Sequence, residues 1–110
     1  MAENSTLLPG TLELLALKAV SLGELHGYGI LLRIRQFAGG AFLPEQGALY
    51  PALYRLVRQG YLESRWGTSD ANRRARFYRL TATGRRKLSD GTRDWNRRVA
   101  SMQAALEMQA

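Results

Sequence analysis

Tyr50, Tyr54 and Arg58 follow one another at intervals of four residues, with Pro51 and Arg55 beside them and Gln46 one turn earlier. On a helix this spacing lines phenolic hydroxyls and guanidinium groups along one stripe. Arginine can donate two parallel hydrogen bonds to a phosphate or to the edge of guanine. Tyrosine can donate one to a phosphate oxygen while its ring packs on sugar. A second cationic group, Arg73, Arg74 and Arg76, lies further along the chain. These residue types suit the binding of a polyanion.

Bond-making chemistry lacks its parts. The absence of cysteine rules out disulfides and thiolate metal sites and fits a reducing compartment. His26 is the single histidine, so a histidine zinc cluster or catalytic triad within one chain is excluded, and the residue reads as a helix start rather than a ligand. The nine acids are scattered, without the paired carboxylates of an acid–base site. The expectation is a protein that is not an enzyme, with no catalytic residues, metal or cofactor.

Charge is distributed unevenly. The chain of 110 residues carries a net +7, enough length for one modest core. Residues 55–87 hold ten basic and two acidic groups, so this stretch carries +8 and the remainder sums to −1. Such local imbalance favours a polyanionic partner. The beginning lacks a basic patch followed by an apolar run, and the most apolar stretch is broken by Glu13 and Lys18. A soluble, cytoplasmic protein without membrane association is expected.

The elements that must position these side chains follow from periodicity. Thr11 to Leu22 has helical spacing with a wide apolar face, Thr11 able to cap its start and Gly23 to end it. A second helix is expected from His26 or Gly27 to Ala38, and an extended link over Phe42, Leu43 and Pro44. In the third helix Leu49, Leu53, Leu56 and Val57 form the core stripe opposite the tyrosines, and Pro51 fits best in or near the first turn. Gly60 closes it. "YLESRW" and "ARFYRL" then alternate as two strands, with Leu62, Trp66, Tyr78 and Leu80 available to one face and a polar turn between. A final helix runs from near Thr81 towards Ala110. Its residues Leu88, Thr92, Trp95, Val99, Met102 and Leu106 make a heptad seam, suited to a second copy or to the chain's own body.

Helix, helix, link, helix and hairpin is the chain order of a winged helix-turn-helix domain, mainly α with a small β-hairpin. In that architecture the third helix enters the major groove of DNA and the hairpin grips the neighbouring backbone. Residues 1–80 would form this domain and residues 81–110 a C-terminal helix. Gln46, Tyr50, Pro51, Tyr54, Arg55 and Arg58 are the helix candidates for DNA contact, and Arg73, Arg74 and Arg76 the wing candidates. The same basic surface would also serve an RNA-binding module, with tyrosines stacking on unpaired bases, or an adaptor that docks an acidic protein.

"HGYGI", "LYPAL" and "NRRARFYRLT", in this order and spanning nearly the whole chain, resemble the PadR family of bacterial transcriptional regulators. The resemblance implies a repressor that binds double-stranded DNA as a homodimer on a pseudo-palindromic operator, its subunits joined by the C-terminal helix. It also implies that Tyr28 faces the DNA-binding side, with a half-buried core position as the alternative. At Trp95 some short members of the family place a tryptophan that stacks on flat aromatic drugs between subunits. Trp95 is therefore a candidate effector contact, or simply a dimer anchor. Two positions depart from the family: Val57 stands where glutamate is common, and Tyr54 where histidine or lysine is frequent.

Overall fold

The computed structural model describes residues 10–41 and 43–109, so Phe42 and Ala110 lie outside the described residues. Among the described residues, four α-helices and three short strands follow in order, the first strand falling between the first two helices. These are α1 (Thr11–Ser21), β1 (Leu25–His26), α2 (Gly27–Gln36), α3 (Gln46–Arg58), β2 (Leu62–Thr68), β3 (Arg74–Leu80) and α4 (Ala82–Glu107). The sheet order is β1-β3-β2, all antiparallel. This is a winged helix, mainly helical as expected from the periodicity.

The core lies where α1, α2 and α3 meet the base of the sheet. Leu17, Ile30, Ile34, Leu49, Leu53 and Leu56 are fully buried, and Leu62 and Tyr78 close it from the hairpin. Val57 is only half-buried and packs at the margin of this cluster. Burying one such aliphatic side chain contributes about 1.5–3 kcal/mol, so these few residues dominate the fold's stability.

Local expectations needed several corrections. Thr11 does not cap α1; it is the first helical residue, and Gly10 takes the cap position in a left-handed conformation at φ 84°. Helix α2 ends at Gln36 rather than Ala38, because the backbone tightens into a 3-10 turn over Phe37–Gly40. Pro51 sits in the second turn of α3, five residues after Gln46. Its missing N–H leaves the carbonyl of exposed Gly47 to solvent, where water can satisfy it.

Other boundaries follow the local signals. His26 caps α2, its Nδ1 accepting from the Gly29 N–H at 2.9 Å. Helix α3 closes on a Schellman arrangement, with the Tyr61 N–H donating to the Leu56 carbonyl at 2.9 Å and the Gly60 N–H to Val57 at 3.0 Å. Thr81 caps α4 by accepting from the Gly84 N–H at 2.9 Å, and its hydroxyl donates to the Gly60 carbonyl at 2.7 Å. One residue thus ties the end of α3 to the start of α4. Gly84 permits the approach: a Cβ there would lie 2.0 Å from the Tyr61 carbonyl oxygen.

Helix α4 packs on α1, with Gly91 riding over Leu14 and Trp95 and Arg98 still lining a groove against that helix. Beyond that it projects from the body, giving the molecule dimensions of 60 × 33 × 21 Å. Among the described residues no helix is long and apolar enough to cross a membrane.

Candidate nucleic-acid interface

A cleft of about 1120 Å³ opens between the start of α2, the outer face of α3 and the hairpin. Tyr28, Tyr50 and Tyr54 line its helical side, and Trp66, Arg73, Arg74 and Arg76 its wing side. Six of the ten sequence-derived DNA candidates therefore meet in one concavity. Gln46, Pro51, Arg55 and Arg58 do not line it, although all four are exposed on α3.

The helical period explains the division. With 100° per residue, Tyr50 and Tyr54 lean towards the hairpin, Pro51 and Arg58 occupy the outermost face, and Arg55 reaches the opposite flank. There its Nη2 pairs with Glu13 of α1 at 2.5 Å. Arg58 stays outward with its guanidinium 5.7 Å from the centre of the Tyr54 ring.

Tyr28 is half exposed, which places it on the cleft rather than in the core. Tyr50 is directed by α2, since its ring fills the space that a side chain at Gly27 would need. Tyr78 forms the floor. Burial pushes its phenol above the ordinary range, partly offset by the nearby charge of Arg76.

The hairpin sets the wing side. Leu62 pairs with Leu80 and Ser64 with Tyr78 at the core end, whereas Trp66 opposite Arg76 and Thr68 opposite Arg74 continue the same face past the core. Trp66 is consequently 53% exposed although it alternates in phase with Leu62. Its ring carries two cations, Arg74 at 4.6 Å and Arg76 at 5.0 Å from the ring centre. Sequence alternation grouped Trp66 with the core face but gave no sign that its rung lies beyond the core.

Ion pairing sorts the arginines of the basic stretch. Arg55 meets Glu13, Arg65 makes a bidentate pair with Glu24 at 2.9 and 3.0 Å, and Arg79 pairs with Glu63 across the strands. The hydrogen bond from Arg65 holds the Glu24 carboxyl below its ordinary range, with the Arg65 charge adding to the effect against some desolvation. Arg58, Arg73, Arg74 and Arg76 have no carboxylate partner among the described residues. Among the described residues that line the cleft, Asp70 at the hairpin turn is the one acid.

On α4, Leu88 is half-buried, whereas Thr92, Trp95, Val99, Met102 and Leu106 are exposed. Thr92 turns its hydroxyl back to the Leu88 carbonyl at 2.8 Å, which suits a polar residue on an apolar seam. Trp95 stands between two concavities: a groove of about 570 Å³ against α1, lined also by Leu14 and Gly91, and an open trough along Val99, Met102 and Leu106. Arg93, Arg97 and Arg98 are paired with Asp90 or Asp94 on the same helix.

Comparison with known proteins agrees with this architecture. Residues 16–90 match the transcriptional regulator PadR-like family. A PadR family transcriptional regulator from Eggerthella lenta DSM 2243 is 28% identical, with a TM-score of 0.77 over 91% of this chain and 85% of that one. A Streptococcus transcriptional regulator at 20% identity shares the fold, with a TM-score of 0.80 over 93% and 98% of the two chains. An uncharacterized protein of Lysinibacillus sphaericus is 24% identical over 91 residues, 83% of this chain and 84% of its own. The match over residues 16–90, together with the shared fold, shows that the chain belongs to the PadR-like family of transcriptional regulators, which are not enzymes.

Proposed function

We propose that the protein is a homodimeric repressor that binds double-stranded DNA in the cytoplasm through α3 and the wing. The observation that carries this reading is the cleft, where exposed tyrosines face Arg73, Arg74 and Arg76 without carboxylate partners among the described residues, while Arg55, Arg65 and Arg79 of the basic stretch are paired with carboxylates elsewhere. Tyr50 and Tyr54 with Gln46, Pro51 and Arg58 would enter the major groove. Tyr28, Arg73, Arg74 and Arg76 would hold the adjoining phosphates. Arg55 would take part only by giving up Glu13, so its contribution is expected to be the smallest.

The α4 seam supports assembly with a second copy, since Trp95, Val99, Met102 and Leu106 form an apolar stripe on a projecting helix. Two α3 helices would then read half-sites roughly 34–36 Å apart on a pseudo-palindromic operator. A flat aromatic effector stacking on Trp95 would relieve repression by binding more tightly to a dimer whose helix spacing no longer fits DNA.

The test is titration of a family-type operator duplex at several salt concentrations with wild type, Arg74→Ala and Arg55→Ala. Loss of one phosphate contact flattens the log–log salt slope by about 0.9. That flattening is expected for Arg74→Ala. Preference for single-stranded RNA over duplex DNA, or no duplex bound even at low salt, would overturn the reading.

A further inference from the structure

We propose that Trp66 is a positioning residue for DNA binding, holding Arg74 and Arg76 as a preformed pair of phosphate-binding guanidinium groups. The inference rests on the DNA-binding reading and goes beyond it by assigning a role to a side chain that itself need not touch DNA.

The first support is register. Trp66 pairs directly with Arg76, and the next rung on the same face sets Thr68 opposite Arg74. Threonine is small, so Arg74 has room to lean diagonally onto the indole, the distance over which long side chains on neighbouring rungs still meet. Both guanidinium groups come within 5.0 Å of the ring centre, and the Arg76 Nη1 also donates to Ser64 Oγ at 3.4 Å.

The second is that the core does not account for this tryptophan. Its rung lies beyond the Leu62–Leu80 and Ser64–Tyr78 rungs, and 53% of its surface is exposed. A large aromatic ring so placed has the two arginines as its main cationic neighbours.

The third is a comparison within the same hairpin. On the opposite face Arg65 also lies over an aromatic ring, that of Phe77 at 5.1 Å. Its donor edge, however, is occupied by both carboxylate oxygens of Glu24. Stacking engages the flat face of a guanidinium and leaves its in-plane N–H groups free. The hairpin thus carries arginines over aromatic rings on both faces, and of these only the two on the cleft face have no carboxylate partner among the described residues. Held in place before binding, Arg74 and Arg76 lose less side-chain freedom when they meet phosphates.

The experiment measures duplex affinity across salt for wild type, Trp66→Ala, Trp66→Phe and Trp66→Leu, with thermal melts as a folding check. The same substitutions are repeated in an Arg74→Ala/Arg76→Ala background. Losing two cation–π contacts at an exposed site should weaken binding by about five- to thirtyfold in Trp66→Ala. Because the charges remain, the salt slope should stay within about 0.3 of wild type, unlike the flattening of about 0.9 for each lost phosphate contact. Phenylalanine should recover part of the affinity and leucine none, and Trp66→Ala should have no effect once both arginines are gone. An equal loss in that background, or rescue by leucine as good as by phenylalanine, overturns the proposal while leaving DNA binding intact. Absence of duplex binding by the wild type overturns the DNA reading itself, and this proposal with it.

Discussion

The edge of the Tyr50 ring occupies the position that a side chain on Gly27 would take: a Cβ there would lie 2.4 Å from Tyr50 Cε1. The first residue of α2 therefore sets the direction of a tyrosine on α3, and that tyrosine forms the wall between the helices and the cleft. A packing requirement in one helix becomes the placement of a hydroxyl on the surface proposed to meet DNA.

Gly27→Ala should consequently act on binding more than on folding. The obstructing atoms belong to the far end of a half-exposed ring, which can swing away into solvent. Duplex affinity is expected to fall by roughly tenfold, on the order of one displaced contact of about 1.4 kcal/mol, with a denaturation midpoint close to wild type. Titration and urea melts on the same preparation separate the two effects.

Gly84→Ala should do the opposite. Here the obstruction is the backbone carbonyl of Tyr61, 2.0 Å from the added Cβ, and the junction between α3 and α4 has no free end to move. Overpacking of this kind costs about 1–3 kcal/mol. Chemical denaturation should show that loss, and a stability equal to wild type would contradict the tight junction.

Glu24 offers a pH test of the wing's anchorage. Its carboxyl is held below its ordinary value of 4.5 chiefly by the hydrogen bond from Arg65. A carboxyl whose folded value is depressed stabilises the fold above the unfolded value, and the contribution is lost as pH falls through the folded one. Wild type should therefore exceed Glu24→Gln in stability near pH 7, and the difference should close as pH drops below about 4.5. A difference that persists unchanged into acid would argue that the pair contributes nothing through charge.

Val99→Glu tests the seam of α4. Val99 is 36% exposed in the single chain, so the protomer should fold normally. Buried between two copies, an unpaired carboxylate costs several kcal/mol, raising the dimer dissociation constant by more than about a hundredfold. Sedimentation should then show a monomer where the proposed assembly predicts a wild-type dimer, and operator affinity should drop with it.

Much of this molecule is legible in its sequence because the relevant signals are local. Apolar residues at helical spacing mark α1, α3 and α4, alternation marks the hairpin, and the basic stretch at residues 55–87 marks the charged surface. The motif "NRRARFYRLT" and its companions sufficed to suggest the family. What tertiary structure decided is which of those charges remain available. Arg55 is claimed by Glu13, 42 residues away, and Arg65 by Glu24, 41 residues away, while Arg74 and Arg76 rest on Trp66. Strand β1 is likewise invisible in sequence, because two residues carry no period and exist as a strand only through pairing with β3. Periodicity depends on neighbours along the chain, and so can be read from it. Ion pairs, ring contacts and the reach of a strand past the core depend on neighbours in space, which the chain acquires only when its helices and hairpin have packed.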